Sequence, residues 1–268
     1  MSLTLRDAPL SSRPRDTVNY RIDGPGHRLL FEPFPRRVRA VFGSETVLDT
    51  TSGMLLHESN LLPQLYLPRG DLRDDLLTPT DHHTHCPFKG DASYWSVTVN
   101  GQTTDNAVWA YLDPLPEAAW LRGHVALYWN SMDAWFDEDE QVIGRLRDPY
   151  HRVDARSTSR HVRVVAGDEL IAVSRRAVLL SETGLPNRFY LPADDVRTDL
   201  LEPSGTQTVC PYKGTAYYRN LRTPSGLITD AAWCYPKPVE GVEAIHDLLC
   251  FAPAEGIEIW LDRAQIPR

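Results

Sequence analysis

The sequence predicts a mainly β protein made of two tandem modules of antiparallel sheet with short helical turns. Three observations support this prediction. They are an internal repeat, strand patterns punctuated by hairpin turns, and the lack of any long amphipathic helical pattern. With 268 residues, the chain is long enough for two domains of ordinary size.

The repeat is long and needs no gap. Residues 38–94 align with residues 162–218 with 25 identities in 57 columns. The first copy reads YLPRGDLRDDLLTP and later THCPFKGDASY, where the second reads YLPADDVRTDLLEP and TVCPYKGTAYY. Such copies fold as neighbouring domains more often than as one mixed core. We therefore expect a first module over residues 1–143 and a second over residues 144–268.

The segments outside the aligned copies have a different composition. Residues 144–160, GRLRDPYHRVDARSTSR, are polar and rich in arginine, so we interpret them as a linker and the approach to the first strand of the second module. We interpret residues 1–20 as a flexible arm of the first module, because chain termini are often loosely held.

Within each module the patterns are those of strands and turns. The run VRAVFGSETVLDT is β-rich and is broken by Gly43-Ser44, and ASYWSVTVNG alternates before Asn100-Gly101, so both predict hairpins. HVALYWNSMDAWF is aromatic and β-branched, as in strands. The stretches PRGDLRDDLL, PADDVRTDLL and PLPEAAWLRG each predict a short helical turn, since Asp favours helix starts in the first two.

Composition and charge exclude several classes of protein. The 42% hydrophobic and 24% charged residues are typical of a soluble globular chain, and no apolar run of about 18 residues predicts a membrane helix. The start lacks the apolar core of a signal peptide, and four cysteines fit a reducing compartment, so we expect a cytoplasmic protein. Residues 1–143 carry 20 acidic and 12 basic side chains, which argues against a nucleic-acid partner.

Lysine identifies the first candidate catalytic residues. The chain has 25 arginines but only three lysines, and two of them, Lys89 and Lys213, occupy the same position of the repeat. A desolvated lysine can lose its proton, and it presents a compact charge, so it suits a general base, a Schiff base or a clamp for an anion. The alternative is a structural lysine whose stem packs on an aromatic ring while its amine caps carbonyl groups at a turn.

Cysteine supplies two further candidates. Cys86 and Cys210 precede the two lysines by three residues, and a nearby ammonium group lowers the pKa of a thiol. Small buried apolar residues are the alternative interpretation. His82, His83 and His85 precede Cys86, but the second copy has no histidine at these positions, so we predict no metal site and no cofactor.

The candidate ligand-binding residues are aromatic and arginine side chains that recur at matching positions, namely Arg73, Tyr94, Trp109, Tyr111, Arg197, Tyr218, Trp233 and Tyr235. Aromatic rings beside a polar lysine form the walls of small-ligand pockets, although large aromatic residues in a β module also form the core. The two arginines fit recognition of a carboxylate or phosphate, or structural ion pairs with Asp75 and Asp199.

At these residues a known family can be recognised. The run YLPxxDxRxDLLxPxxxxTxCPxKGxAxY followed by AxWxYxxP resembles the family catalogued as domain of unknown function 427, which is widespread in bacteria and also found in fungi. The resemblance covers Val38 to Gln141 and again Val162 to Leu261, and it implies a tandem version of that domain. It also implies β-tent-like modules, in which two antiparallel sheets lean together.

The resemblance bears on the site as well. In zinc-binding β-tent proteins the knuckle reads Cys-Pro-x-Cys-Gly, whereas both copies here have lysine at the second cysteine, which implies a cation in place of a zinc ligand. Some β-tent proteins hold a small ligand or a reactive cysteine between the sheets. The family has also been labelled a nucleotidyltransferase, a class with a Gly-Ser element and spaced acidic metal ligands. Gly43-Ser44 aligns with Gly167-Asp168, so the serine is not repeated, and no pair of acidic residues recurs in both copies at a suitable spacing. We therefore interpret Gly43-Ser44 as a turn.

Three hypotheses of function follow. The leading one is a small-molecule site for a polar or anionic ligand in a cleft lined by lysine and aromatic residues. If the protein is an enzyme, the lysine is the group that acts on the ligand in this hypothesis. The alternatives are a non-catalytic structural or interaction module, and a thiol-dependent redox enzyme that uses Cys86 or Cys210. A lysine amine open to a cavity favours the first, a lysine bound to backbone carbonyls the second, and an accessible thiol the third.

Overall fold

A computed structural model describes residues 3–6, 8–13, 17, 19, 21 and 23–267 of the chain. The chain divides into two compact units, Met1–Tyr150 and His151–Arg268. The division follows Tyr150, whereas the sequence led us to expect it after residue 143. Both units consist of antiparallel sheets with short 3-10 turns, which confirms the predicted fold class.

The described residues of the first unit form eleven strands in two sheets. The larger sheet has the order β1-β4-β5-β9-β8-β7-β6 and the smaller one β11-β10-β2-β3. The strands are β1 Leu29–Phe34, β2 Val38–Phe42, β3 Glu45–Thr50, β4 Gly53–Glu58, β5 Gln64–Pro68, β6 Leu77–Cys86, β7 Gly90–Val99, β8 Gln102–Ala110, β9 His124–Leu127, β10 Ala134–Asp137 and β11 Glu140–Gln141. The 3-10 turns are Arg69–Asp71, Asp74–Leu76, Pro116–Leu121 and Trp129–Ser131.

The second unit repeats this plan strand for strand. Its sheets have the orders β12-β15-β16-β20-β19-β18-β17 and β14-β13-β21-β22. The strands are β12 Val153–Thr158, β13 Val162–Ala166, β14 Glu169–Ser174, β15 Ala177–Glu182, β16 Arg188–Leu191, β17 Leu201–Cys210, β18 Gly214–Thr223, β19 Gly226–Cys234, β20 Leu249–Phe251, β21 Glu258–Leu261 and β22 Ala264–Gln265. The 3-10 turns are Ala193–Asp195, Thr198–Leu200 and Glu243–Ile245. Among the described residues, no helix has the length and apolar character needed to cross a membrane.

The predicted hairpins are confirmed. Gly43 and Ser44 have φ angles of 58° and 70° and join β2 to β3, and Asn100 and Gly101 have φ angles of 49° and 80° and join β7 to β8. Positive φ at both central residues is the geometry of a tight hairpin turn. Gly43-Ser44 is therefore a structural turn.

Each unit has two apolar clusters because its larger sheet is covered on both faces. In the first unit the main core lies between the two sheets, where Val38 and Ala40 of β2 meet residues such as Leu67 and Val97. The opposite face of the larger sheet carries a smaller, tyrosine-rich cluster that the 3-10 turn Pro116–Leu121 covers. The second unit has the equivalent pair of clusters. The candidate site lies on this second face.

Part of the expected N-terminal arm is included in the described structure. Thr4 and Ser11 are buried, and the backbone N–H of Asn60 donates a hydrogen bond to the Thr4 carbonyl at 2.9 Å. These described residues therefore pack on the first unit. Eight positions of the expected arm lie outside the described residues, namely 1, 2, 7, 14, 15, 16, 18 and 20.

Candidate functional site

The repeated Cys-Pro-aromatic-Lys-Gly motif forms the turn between β6 and β7, and again the turn between β17 and β18. Cys86 pairs with Gly90 across the first hairpin, and the backbone N–H of Lys89 donates to the Cys86 carbonyl at 3.2 Å. Gly90 and Gly214 have φ angles of 101° and 103°, a region that favours glycine. The turn therefore explains the glycine of the motif and fixes the position of the lysine beside it.

Both lysines reach a buried glutamate. Lys89 Nζ donates a hydrogen bond to Glu58 Oε2, and Lys213 Nζ donates to Glu182 Oε2. The Lys89 and Glu58 side chains are 9% and 8% exposed, and those of Lys213 and Glu182 are 11% and 9% exposed. From the sequence we expected a lysine amine that is either open to a cavity or bound to backbone carbonyl groups. Instead, each lysine amine binds a carboxylate, Glu58 at the end of β4 or Glu182 at the end of β15.

A histidine completes each charged cluster. His27 Nε2 lies 2.8 Å from Glu58 Oε1, and His151 Nε2 lies 3.0 Å from Glu182 Oε1. Each glutamate thus uses one oxygen for lysine and the other for histidine. We call these two clusters, His27–Glu58–Lys89 and His151–Glu182–Lys213, the His–Glu–Lys triads.

The aromatic residue of the motif packs on the triad histidine. The rings of His27 and Phe88 stack with their centroids 3.7 Å apart, and those of His151 and Tyr212 lie 4.2 Å apart. In both units, the lysine, the glycine and the aromatic residue of the motif therefore contribute to the same structure, which is the turn together with its His–Glu–Lys triad.

The second triad holds its carboxylate ionised. Burial favours the neutral form of Glu182, but hydrogen bonds from His151 and Lys213, together with the charge of the lysine, lower the pKa of Glu182 to about 2. The Lys213 ammonium group therefore faces a negative charge throughout the neutral pH range. An amine held in this way is a fixed cation and hydrogen-bond donor.

Buried tyrosines surround both triads. Burial raises the pKa of Tyr66 and Tyr111 in the first unit, and of Tyr190 and Tyr235 in the second. Their hydroxyl groups are consequently neutral at physiological pH. The Lys89 ammonium group also lies 5.8 Å from the centroid of the Tyr111 ring, within the range of a cation–π interaction.

A cavity of about 560 Å³ adjoins the triad of the first unit. This volume falls within the range of roughly 300–1,000 Å³ typical of small-ligand sites. Its charged lining residues are Glu58, Lys89 and Arg145. Its aromatic lining residues are Tyr66, Tyr94, Trp109, Tyr111 and Tyr128. Leucines, among them Leu5, Leu61 and Leu62, supply apolar surface.

Hydrogen bonds and ring contacts fix the aromatic wall. The rings of Trp109 and Tyr128 lie 4.6 Å apart between centroids, and the hydroxyl groups of Thr84 and Tyr94 are 2.8 Å apart. The second unit repeats the latter contact between Thr208 and Tyr218 at 3.1 Å. The wall is therefore held in place by residues of the module itself.

The structure brings most of the predicted first-unit residues together. Lys89, Tyr94, Trp109 and Tyr111 all line the cavity. Cys86 is half-buried against the tyrosine-rich cluster and does not line the cavity.

The same grouping recurs in the second unit. Tyr218, Trp233 and Tyr235 belong to the equivalent cluster, near the Lys213–Glu182 pair. Trp233 Nε1 donates a hydrogen bond to the Tyr190 hydroxyl at 3.2 Å. Cys210 is half-buried.

The two predicted arginines lie elsewhere. Arg73 binds Asp75 with two hydrogen bonds of 2.7 and 2.6 Å and is not among the residues that line the cavity. Arg197 forms the same pair with Asp199 at 2.8 and 2.7 Å. Both arginines therefore form the structural ion pairs that the sequence analysis held as an alternative.

The histidines before Cys86 are exposed. His85 Nδ1 lies 2.6 Å from Asp91 Oδ1, and the His82 ring contacts Tyr94 with a centroid distance of 4.4 Å. Within the described part of the chain, no group of three or more His, Cys, Asp or Glu side chains has an arrangement that could hold a metal ion.

Several site residues were missed by the sequence analysis: Glu58, Glu182, His27, His151, Tyr66, Tyr190, Tyr128 and Arg145. The glutamates carried a signal, since they are identical between LLHESNL and LLSETGL in the aligned copies. The histidines share the spacing of the repeat but precede the aligned block. Tyr128 and Arg145 had no such signal.

Comparison with known families agrees with the repeat. A family model described as "Domain of unknown function (DUF427)" matches residues 30–138 and again residues 154–263. The chain belongs to this family. The two matches confirm a tandem member of DUF427. A comparison with curated proteins gave no match.

The DUF427 matches also show which residues of each candidate site lie inside the domain. Both matched segments contain the glutamate and lysine of a triad and the aromatic residues beside it. His27 and His151 lie just before the matched segments. The Glu–Lys pair is thus inside each DUF427 domain, whereas the histidine is supplied by the residues that lead into it.

Proposed function

We propose that the first unit binds a small molecule in the cavity beside its triad. The ligand has a planar or apolar body and one anionic or strongly polar group. The observation that carries this proposal is the combination, in one cavity of about 560 Å³, of five aromatic lining residues with a buried charged pair.

The charges of the lining support an anionic group on the ligand. Glu58 and Lys89 neutralise each other at the triad, and Arg145 adds one further positive charge. The charged residues of the lining therefore carry one net positive charge. An Arg side chain can bind a carboxylate, sulfonate or phosphate through two hydrogen bonds.

The aromatic wall supports a planar or apolar ligand body. Trp109 and Tyr128 are in contact with each other and present ring surface to the cavity. Such rings bind flat groups by stacking, while neutral tyrosine hydroxyl groups can donate or accept a hydrogen bond.

The triad limits the chemistry that the lysine can supply. An ammonium group bound to a buried carboxylate stabilises negative charge or donates a proton, and it becomes a nucleophile only after transferring that proton. If the bound molecule is transformed, Lys89 in our proposal acts as an electrostatic stabiliser, or as an acid that gives its proton to the bound molecule, while Glu58 holds the amine in position.

Fluorescence titration with 8-anilinonaphthalene-1-sulfonate tests the proposal, because this probe combines aromatic rings with one sulfonate. We expect the folded full-length chain to bind it, and Trp109→Ala and Tyr128→Ala each to raise its Kd by about two- to tenfold, since a lost aromatic contact costs roughly 0.5–1.5 kcal/mol. Tyr217→Ala is the matched control, because Tyr217 is an exposed tyrosine of the second unit. Equal affinities for wild type, Trp109→Ala and Tyr128→Ala would contradict the proposal and favour a structural module.

A further inference from the structure

We propose that the start of the chain forms a wall of the first-unit cavity and sets its ligand preference, so that the two units recognise different ligand bodies. We call residues 3–6 and 8–13 the opening segment. This inference rests on the proposed function of the same cavity and assigns its specificity to the opening segment.

The opening segment is folded and packed. Within it, the Leu10 N–H donates to the Leu3 carbonyl at 2.9 Å and the Ser11 N–H donates to the Ala8 carbonyl at 3.0 Å. Thr4 and Ser11 are fully buried. Leu5 lines the cavity together with Leu61 and Leu62, so the opening segment supplies part of its apolar surface.

The same segment holds the turn that follows the triad glutamate. The Asn60 N–H donates to the Thr4 carbonyl at 2.9 Å, and Thr4 Oγ1 donates to the Leu61 carbonyl at 2.9 Å. Ser59 Oγ donates to the Leu10 carbonyl at 2.6 Å. These contacts begin one residue after Glu58, so docking of the segment and the position of the cavity wall are coupled.

The second unit uses the equivalent residue differently. Ser59 and Thr183 share one position of the repeat, and both accept a hydrogen bond from the backbone N–H of Arg28 or Arg152 at 2.9 Å. However, Thr183 Oγ1 donates to the Arg152 carbonyl of its own module at 3.2 Å. Ser59 Oγ lies 3.5 Å from the equivalent Arg28 carbonyl and donates at the shorter distance of 2.6 Å to the Leu10 carbonyl of the opening segment. In the first unit, the shorter of the two contacts of this hydroxyl group therefore holds the opening segment.

The rest of the wall has also diverged between the units. Gly184 and Pro186 occupy the positions of Asn60 and Leu62. The matching strand pairs Val108–Leu127 and Ala232–Phe251 place Ala252 at the position of Tyr128. The triads are identical in the two units, whereas these wall residues differ. We therefore infer that both sites recognise the polar group of a ligand in the same way but recognise the ligand body differently.

The first test needs no ligand. Only three lysines occur in the chain, so acetylation of Lys89 can be compared with that of Lys213 as an internal control by peptide mass spectrometry. Deleting residues 2–12 is expected to raise the Lys89 to Lys213 acetylation ratio at least about threefold, since accessibility controls reagent attack on a buried amine. An unchanged ratio in the folded variant overturns the proposed wall.

The second test uses the affinity for 8-anilinonaphthalene-1-sulfonate. Thr4→Val removes one hydrogen bond of the opening segment and is expected to raise the Kd about fivefold, as for the loss of one buried hydrogen bond. The matched variant Thr183→Val, which removes a hydroxyl hydrogen bond in the second unit, should leave the Kd unchanged. Thermal unfolding of each variant shows whether it is folded. If the deletion variant does not fold, Thr4→Val still tests the proposal.

The two proposals can fail separately. If the acetylation ratio rises but the probe does not bind the full-length chain, the proposed function fails while the wall stands. If Trp109→Ala weakens probe binding but neither the deletion nor Thr4→Val does, the cavity is a binding site and the assignment of its wall is overturned.

Discussion

Replacing Glu182 by glutamine tests the physical basis of the second triad. The substitution keeps the shape of the side chain and removes the negative charge that Lys213 and His151 face. Because the glutamate and lysine side chains are about nine-tenths buried, water cannot fully replace the lost partner. We therefore expect Glu182→Gln to destabilise the second unit.

The magnitude follows from the pKa of Glu182. In the folded protein this pKa is about 2, compared with the usual 4.5. One pKa unit corresponds to about 1.4 kcal/mol, so ionised Glu182 contributes about 3 kcal/mol to the stability of the folded state at neutral pH. Removing one partner of a buried ion pair costs a similar roughly 3–5 kcal/mol. Since the folded pKa is lowered, this contribution is complete above the unfolded value of 4.5 and is lost as the pH falls towards 2.

Hydrogen exchange in increasing urea measures the effect, because peptides from β15 and β18 report on the second unit and those from β4 and β7 on the first. We expect Glu182→Gln at pH 7 to lower the unfolding free energy of the second unit by about 3 kcal/mol. The first unit is the internal control. The double variant Glu182→Gln/Lys213→Met should recover part of the loss, because no unpaired charge remains. A loss below about 1 kcal/mol, or an equal loss at pH 2.5 and pH 7, would refute this reasoning.

Three further predictions concern the turn, the thiols and the exposed ion pair. A Cβ atom added at Gly214 would lie 2.8 Å from a backbone carbonyl oxygen, whereas a Cβ atom added at Gly90 would have its nearest neighbour at 3.5 Å. Urea unfolding should therefore show that Gly214→Ala destabilises its unit by about 1–3 kcal/mol more than Gly90→Ala does. Burial raises the pKa of the Cys250 thiol to about 12, so iodoacetamide at pH 8 should modify half-buried Cys86 first, and equal labelling of both by mass spectrometry would contradict this. Arg73→Ala should leave the affinity for 8-anilinonaphthalene-1-sulfonate unchanged, and a raised Kd would place Arg73 at the site.

Much of the fold could be predicted because the repeat and the turns are local signals. Gly43-Ser44 and Asn100-Gly101 specify hairpins through their ability to adopt positive φ. The rarity of lysine in an arginine-rich chain singled out Lys89 and Lys213, and both proved to be buried in equivalent charged clusters. The sequence could detect the requirement for lysine without showing what the lysine binds.

The partners of the lysines could not be predicted, because they depend on the order of the strands. Glu58 ends β4 and Lys89 precedes β7, and these strands are separated by β5, β9 and β8 in the larger sheet. Neither hairpin pairing nor residue spacing predicts that contact. The aromatic residues were ambiguous for another reason, since Tyr111 is both 93% buried in the cluster and part of the cavity lining, so the core and pocket interpretations describe the same side chain.

The persistence of both triads is itself an argument about function. A buried ion pair stabilises a fold no better than well-packed apolar residues of similar volume, because desolvation offsets the attraction between the charges. Yet histidine, glutamate and lysine are identical in both units, although fewer than half of the 57 aligned positions are. If stability alone maintained these positions, one copy could have replaced the pair by apolar residues, as it has replaced much else. The charged triads are retained in both units, whereas the wall residues beside them differ. This is what we expect of two sites that recognise the same polar group of a ligand but accept different ligand bodies.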